Sequence, residues 1–418
     1  MEPVLAVLSL IVLGWAVVSH RLALWNITGP LVFTVAGFLL GNPLWGPLTV
    51  EVEAPSVHVL AELTLALLLF SDASRVNVST LRQDIGLPAR LLGIGLPLAA
   101  LLGSVAAVVL FSDFTWALAL FVGAALAPTD AALSAQVIDD DRLPMRVRRA
   151  LNVESGLNDG IITPVVVFAL AIAASPPGGS GEEADGVRAI LELAIGIVVG
   201  VALGLVSASL IAFASRRRWI LHGGRRLGTL ATAVGSFSLA QSLGGNGFIA
   251  AFVAGIAFGA AFPHDVADVE QVGELPELLG EVLALGVWFL FGAALLPVAF
   301  EYFSLSTLLY AIISLTLVRM LPVALGLAGT GLDRGTVLFI GWFGPRGLAS
   351  VVFALLAVEE LVETDAVGHA ISVVAFTVLM SVAAHGISAG PLGRLYERFH
   401  DTVPTDEAGP RRRRGHGA

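Results

Sequence analysis

Within ten residues, Leu151–Gly160 (LNVESGLNDG), the chain places two acids, Glu154 and Asp159, two amides, Asn152 and Asn158, and the hydroxyl of Ser155. On a helix each residue turns by about 100°, so Glu154, Asn158, Ser155, Asp159, Asn152 and Thr163 share roughly half of the wheel, while Val153, Leu157 and Ile161 fill the other half. Glu154 and Asn158 are four apart and can hydrogen-bond, as can Ser155 and Asp159. Further polarity stands in Ala127-Pro128-Thr129-Asp130, in Gly344-Pro345-Arg346-Gly347, and at Glu62 and Asp72. With no cysteine and eight scattered histidines, soft ligands are missing, and acids, hydroxyls and carbonyls suit a hard cation bound by oxygen. A carboxylate withdrawn from water also favours its protonated form. A cation and a proton would then compete for Asp159.

The elements that carry these groups are greasy. Of 418 residues, 56% are hydrophobic and 13% charged, and mean hydropathy is +0.87, against roughly 25% charged residues in soluble domains. The composition is that of a polytopic membrane protein. Apolar windows of bilayer length fall near 4–19, 24–41, 55–71, 88–111, 115–137, 150–174, 187–214, 227–243, 247–261, 279–299, 303–328, 335–357 and 366–388, about thirteen spans, with the split at Gly244–Gly247 the weakest. All 23 basic residues are arginine, and 20 of them fall on alternate loops if the N-terminus is outside and the C-terminus cytoplasmic. The first span follows Glu2 and has no small-residue cleavage site, which argues against a removable signal. Loop acids such as Glu51, Glu53, Glu182, Glu183, Glu359, Glu360 and Glu363 read as solvated surface, and residues 401–418, polar and ending near Arg411–Arg414, read as a disordered cytoplasmic tail beside anionic headgroups. The membrane domain is residues 1–400, with no regulatory domain expected after the short tail.

A charge at the bilayer centre costs roughly 2.5–3.5 kcal/mol on insertion scales, so ionisable groups in spans face a cavity or a partner. The decapeptide could escape that cost as a helix N-terminus outside the hydrocarbon, where acids complement the dipole. Two other spans point inward instead. Pro128 and Pro345 stand mid-span, each removes a backbone donor, and each is followed within two residues by a charge, Asp130 or Arg346. Unwound backbone in a membrane is tolerated only where protein or water satisfies it. Breaks at 128 and 345, in opposite halves of the chain, fit inverted repeats with two crossed discontinuous helices near the midplane. Positive half-helix N-termini there suit Asp130, and negative C-termini suit Arg346.

APTD at 127–130, the decapeptide with its Asn158-Asp159 pair, GNGFIAAFVAGIAFG at 245–259 and GPRG at 344–347 together resemble the monovalent cation:proton antiporter family, the branch of prokaryotic NhaP proteins and eukaryotic sodium/hydrogen exchangers. The resemblance covers nearly the whole membrane region. It implies an all-α, thirteen-span inverted-repeat fold with core and dimerisation bundles, a homodimer in the inner membrane of a prokaryote, and electroneutral exchange of one sodium or lithium ion for one proton by an elevator-like movement. By the same resemblance Asp159 is the ion- and proton-binding acid, with Thr129, Ser155 and Glu154 helping to surround the cation. Asn158 resembles the family's partner for Glu154, and an amide there, where electrogenic relatives have a second acid, implies no net charge movement. Asp130 resembles the acid that compensates the broken fifth helix. Arg346 resembles the arginine of the twelfth, paired with an acid at the end of the third span, here Asp72. Arg319, in Val318-Arg319-Met320-Leu321-Pro322, resembles an Arg-Pro element and implies a structural, charge-pairing role. His58 and Glu62, near the outer end of the third span, read as structural.

The residues leave other functions open: exchange of potassium for protons, a cation channel, or a sodium-coupled solute symporter. A channel needs a continuous pore and a symporter a larger pocket. An intramembrane enzyme is disfavoured, because no zinc motif, aspartyl pair or nucleophile elbow occurs. No cofactor and no nucleic-acid partner are expected.

Overall fold

The computed structural model describes residues 2–25, 27–50, 54–76, 86–130, 133, 144–175, 182–263 and 265–400. The expected tail at 401–418 and the loop residues Glu51, Glu53, Arg82 and Arg142 lie outside the described residues. Every described regular element is helical: α1 (Glu2–Ala23), α2 (Gly29–Gly41), α3 (Pro55–Ser74), α4 (Gly86–Leu110), α5 (Trp116–Ala125), α6 (Met145–Ala174), α7 (Glu182–Arg216), α8 (His222–Ser242), α9 (Gly247–Ala261), α10 (Val269–Glu301), α11 (Leu305–Gly326), α12 (Arg334–Trp342), α13 (Leu348–Glu360) and α14 (Asp365–His400). Among them α1, α3, α4, α6, α7, α10, α11 and α14 are long and apolar enough to cross a membrane, so the protein is multi-pass. The other expected windows fall on α2, α5, α8, α9 and the α12–α13 pair.

Local chemistry explains where these helices stop. α5 ends at Ala125 because Pro128 cannot donate and disfavours a helical residue before it. The stretch 343–347 separates α12 from α13 around Pro345 in the same way. Gly244 turns the chain between α8 and α9 with φ of +73°, a conformation that costs glycine little. α4 and α10 each contain a π-helical turn, Leu91–Gly95 and Phe291–Leu295, and each turn is followed within two residues by a proline. α6 begins earlier than the apolar window suggests: its first residue is Met145, which places Glu154 about two and a half turns inside the helix. The helix N-terminus explanation for those acids therefore fails.

Lipid tails are as apolar as leucine, so helices in a bilayer associate by close contact between small residues. α7 supplies such a seam with Gly196, Gly200 and Gly204, four apart. A Cβ at these positions would lie 2.7, 2.6 and 2.5 Å from the carbonyl oxygens of Asn246, which caps α9, and of Ala250 and Ala254 within it. α9 then meets α6, where a Cβ at Gly160 would sit 2.1 Å from the Phe252 ring, and meets α3 through Gly255 and Gly259 against the Phe70 and Ser74 carbonyls. This layer presses the polar face of α6 toward the two breaks. His58 pairs with Glu359 at 2.7 Å and Glu62 accepts from Gln241 at 3.3 Å, well away from that face.

Candidate functional site

The two unwound stretches cross and satisfy each other. The Asp130 amide donates to the Pro345 carbonyl at 2.9 Å, and the Asp130 carboxylate accepts the Leu348 amide at 2.9 Å, at the first turn of α13. Asp130 thus lies at a helix N-terminus, where the dipole is positive. In the other direction the Arg346 guanidinium donates from Nη1 to the carbonyls of Ala127 (2.8 Å) and Pro128 (3.2 Å), the oxygens freed where α5 unwinds. Ser350 covers a third, the Ala125 carbonyl, at 2.6 Å. The two flanking glycines make the crossing possible: a Cβ at Gly347 would lie 1.9 Å from Asp130 Oδ2, and one at Gly344 would lie 2.3 Å from Arg319 Nε.

Arg346 was expected to pair with Asp72, and the structure differs. Its side chain is fully buried among the carbonyl ends of α5, which hold no amide donors of their own, and among the described residues it forms no ion pair with Asp72. Asp72, on α3, faces α6 near Gly156 and lies within electrostatic reach of Asp130 and Asp159. Three carboxylates therefore converge where α3, α6 and the α5 break meet.

The expected partner of Glu154 also changes. Arg319 of α11 grips both carboxylate oxygens, Nη1 to Oε1 at 2.5 Å and Nη2 to Oε2 at 3.1 Å, with the two side chains 3% and 2% exposed. A bidentate guanidinium satisfies a carboxylate better than a single amide can, and Asn158 turns instead to the α5 break. Its Nδ2 donates to the Thr129 hydroxyl at 2.8 Å and to the Thr129 carbonyl at 3.2 Å. The Thr129 and Ser155 hydroxyls lie 3.0 Å apart. Asn158 is 1% exposed, and its Oδ1 has no protein partner among the described residues.

Asp159 completes this face. It is half-buried, one residue from Asn158 and four from Ser155, and among the described residues its carboxylate makes no hydrogen bond or ion pair. Thr163 donates to its backbone oxygen at 2.6 Å and leaves the side chain alone. The arrangement thus separates one acid held by arginine and one held by helix amides from two, Asp72 and Asp159, whose carboxylates have no fixed counter-charge among the described residues. Sequence reasoning brought together Thr129, Ser155, Asn158, Asp159 and both breaks. It missed the Glu154–Arg319 pair, although a charge such as Arg319 inside an apolar span demands a counter-ion.

The family model described as "Sodium/hydrogen exchanger, transmembrane" matches residues 7–394 of this chain. A protein named K(+)/H(+) antiporter NhaP, from Alkalimonas amylolytica, is 24% identical over 394 residues, 94% of this chain and 66% of that protein. A Na(+)/H(+) antiporter from Schizosaccharomyces pombe is 26% identical over 309 residues, 67% of this chain and 65% of that protein. The chain thus spans a little less than two thirds of these relatives. The solved structure of the sodium proton antiporter MjNhaP1 from Methanocaldococcus jannaschii superposes with a TM-score of 0.73 at 22% identity, covering 95% of this chain and all of that one, so the two share a fold.

Proposed function

This chain belongs to the sodium/hydrogen exchanger family, and we propose that it exchanges a monovalent cation for a proton across the plasma membrane, with Asp159 as the shared acid. The observation that carries this reading is the difference among the carboxylates of this cluster. Glu154 is held by Arg319 and Asp130 by the Leu348 amide of α13, whereas Asp159 has no fixed partner and lies on α6 next to Asn158, whose Oδ1 is unpaired, and one turn from Ser155, whose hydroxyl meets that of Thr129. An acid so placed, with Asp72 and Asp130 nearby, favours taking up one positive charge. That charge is either a proton or a cation held by oxygen. A site loaded with one or the other and opened alternately to each side is an antiporter.

Sodium or lithium is the proposed cargo, with Thr129, Ser155 and Asp159 as ligands. Glu154 steadies the site through Arg319, and any share it takes in the cation uses lone pairs that the guanidinium leaves. Potassium is the second reading, favoured by the name of the Alkalimonas relative. With an amide at 158, one proton balances one cation and the exchange is electroneutral. Residues 1–400 form the transporting unit, its N-terminus outside, its C-terminus cytoplasmic and two copies associating.

The test is a cation panel in proteoliposomes carrying an internal pH dye. Addition of sodium, lithium or potassium to preformed acid-loaded vesicles should produce cation-dependent alkalinisation that a voltage-clamping ionophore does not change. Voltage-dependent alkalinisation would overturn the one-for-one stoichiometry, and no response to any of the three cations would overturn the exchanger reading.

A further inference from the structure

Where α7 turns into α8 the chain carries Arg216, Arg217, Arg218, Arg225 and Arg226 around an exposed Trp219 and Leu221. Acids of the α9–α10 connection and of α10 reach two of these arginines. Arg216 pairs with Asp265 at 3.3 Å, and Arg226 with Glu274 at 2.5 Å. Among the described residues Arg217, Arg218 and Arg225 form no ion pair, and Nε of Arg225 is buried without a hydrogen-bond partner. Both Arg217 and Arg218 are exposed.

The turn aims this uncompensated charge outward. α7 closes at Arg218 with φ of +58°, the left-handed conformation that glycine usually supplies at a helix end, and the Trp219 amide returns to the Ala214 carbonyl at 2.9 Å. That reversal leaves Trp219 72% and Leu221 84% exposed. The Arg217 guanidinium lies over the Phe213 ring, 5.4 Å from its centroid, and Trp219 meets the same ring edge-on at 5.6 Å. Phe213 in turn ends an exposed apolar stripe of α7 that runs through Val206 and Leu210. The guanidinium and the indole therefore stand where a lipid-facing stripe reaches the headgroups.

Arg216 and Arg226 show that an arginine at this end of the bundle can be neutralised from within the protein. Its neighbours are not. Exposed Trp219 and Leu221 beside free guanidinium groups are costly against water and fit a surface that is apolar below and anionic above. Leu221 also offers no side-chain acceptor to the first turn of α8, so that positive helix end adds to the field of the arginines. A phospholipid of net negative charge supplies both halves of the fit: its phosphate takes guanidinium donors, and its chains cover the indole and the leucine. A zwitterionic lipid supplies the chains but cancels the charge.

We propose that the α7–α8 turn is a docking surface for anionic phospholipid headgroups, with Arg217 and Arg218 on the phosphate and Trp219 and Leu221 in the headgroup boundary beside α7. In the orientation given above, this is the cytoplasmic leaflet. The proposal does not rest on the exchanger reading, and its test needs no transport.

The experiment titrates the detergent-solubilised full chain with phosphatidylglycerol or phosphatidylcholine of identical chains and counts bound lipid by native mass spectrometry. Three proteins are compared: the natural one, Arg217→Gln with Arg218→Gln, and Arg188→Gln near the other end of α7. The natural protein should bind phosphatidylglycerol more tightly, and added salt should narrow the difference. Each arginine beside anionic headgroups contributes about 1 kcal/mol, so the double variant should lose on the order of 25-fold in affinity for phosphatidylglycerol and little for phosphatidylcholine. Arg188→Gln should keep the preference. Equal affinity for the two lipids in the natural protein, which no variant has to fold to reveal, would overturn the proposal, as would an unchanged preference in the double variant. Two other occupants are read in the same samples. Displacement of phosphatidylglycerol by millimolar inorganic phosphate would make the turn a site for soluble anions, and separation of associated copies in a double variant that keeps its lipid preference would make it a protein contact. Either result overturns the lipid assignment.

Discussion

Glu154 and Arg319, 165 residues apart, form a bidentate ion pair with both side chains buried. Removing one partner of such a pair leaves an unpaired buried charge, at a cost of about 3–5 kcal/mol, while replacing both can be nearly neutral. Arg319→Met should therefore lower the thermal unfolding midpoint in detergent sharply, and Glu154→Gln with Arg319→Met should recover much of the loss. Equal midpoints for the single and double variants would mean that the pair contributes no coupling.

The GPRG stretch makes a steric prediction. A methyl group at Gly347 meets the Asp130 carboxylate at 1.9 Å, and one at Gly344 meets the Arg319 guanidinium at 2.3 Å. Gly347→Ala and Gly344→Ala should therefore both reduce the yield of monodisperse protein on size-exclusion chromatography. Gly235→Ala on α8, where a Cβ meets nothing within 4 Å, should be neutral or gain up to about 1 kcal/mol, as alanine does over glycine in a helix. Normal yield from Gly347→Ala would mean that the crossing is looser than the Asp130–Leu348 bond implies.

Asn158 donates to both oxygens of Thr129, and an ionised aspartate has no hydrogen to offer. Asn158→Asp should therefore lose most exchange at neutral pH instead of becoming electrogenic. The check is transport of the variant with and without a voltage clamp. Robust voltage-driven transport would show that the amide sets stoichiometry alone and does not hold Thr129 in place.

Much of this architecture was legible in the residues because the bilayer makes polarity expensive. Pro128 and Pro345 marked the unwound helices, and the charges after them marked what stabilises each end. Partner choice was harder to read. Asp72 was an available acid for Arg346, yet carbonyls orphaned by the proline break lay closer, and backbone acceptors leave no mark in side-chain identity. Asn158 stood one turn from Glu154, but side-chain spacing along α6 said nothing of Arg319 arriving from α11. The seam of Gly196, Gly200 and Gly204 also passed unremarked, since glycine in an apolar span shows its use only when a neighbouring helix is in place. Span counting suffered most where helices are short: α5 and α12 each stop at their breaks and fall below bilayer length.

Asp159→Asn bears most directly on the proposed shared acid, since asparagine preserves size and removes the charge for which proton and cation are proposed to compete. The measurement is cation-driven pH change in proteoliposomes, beside size-exclusion and thermal profiles of the same protein. Loss of exchange with an unchanged profile is the result expected if Asp159 carries both ions in turn. Exchange at the natural rate in that variant would contradict it.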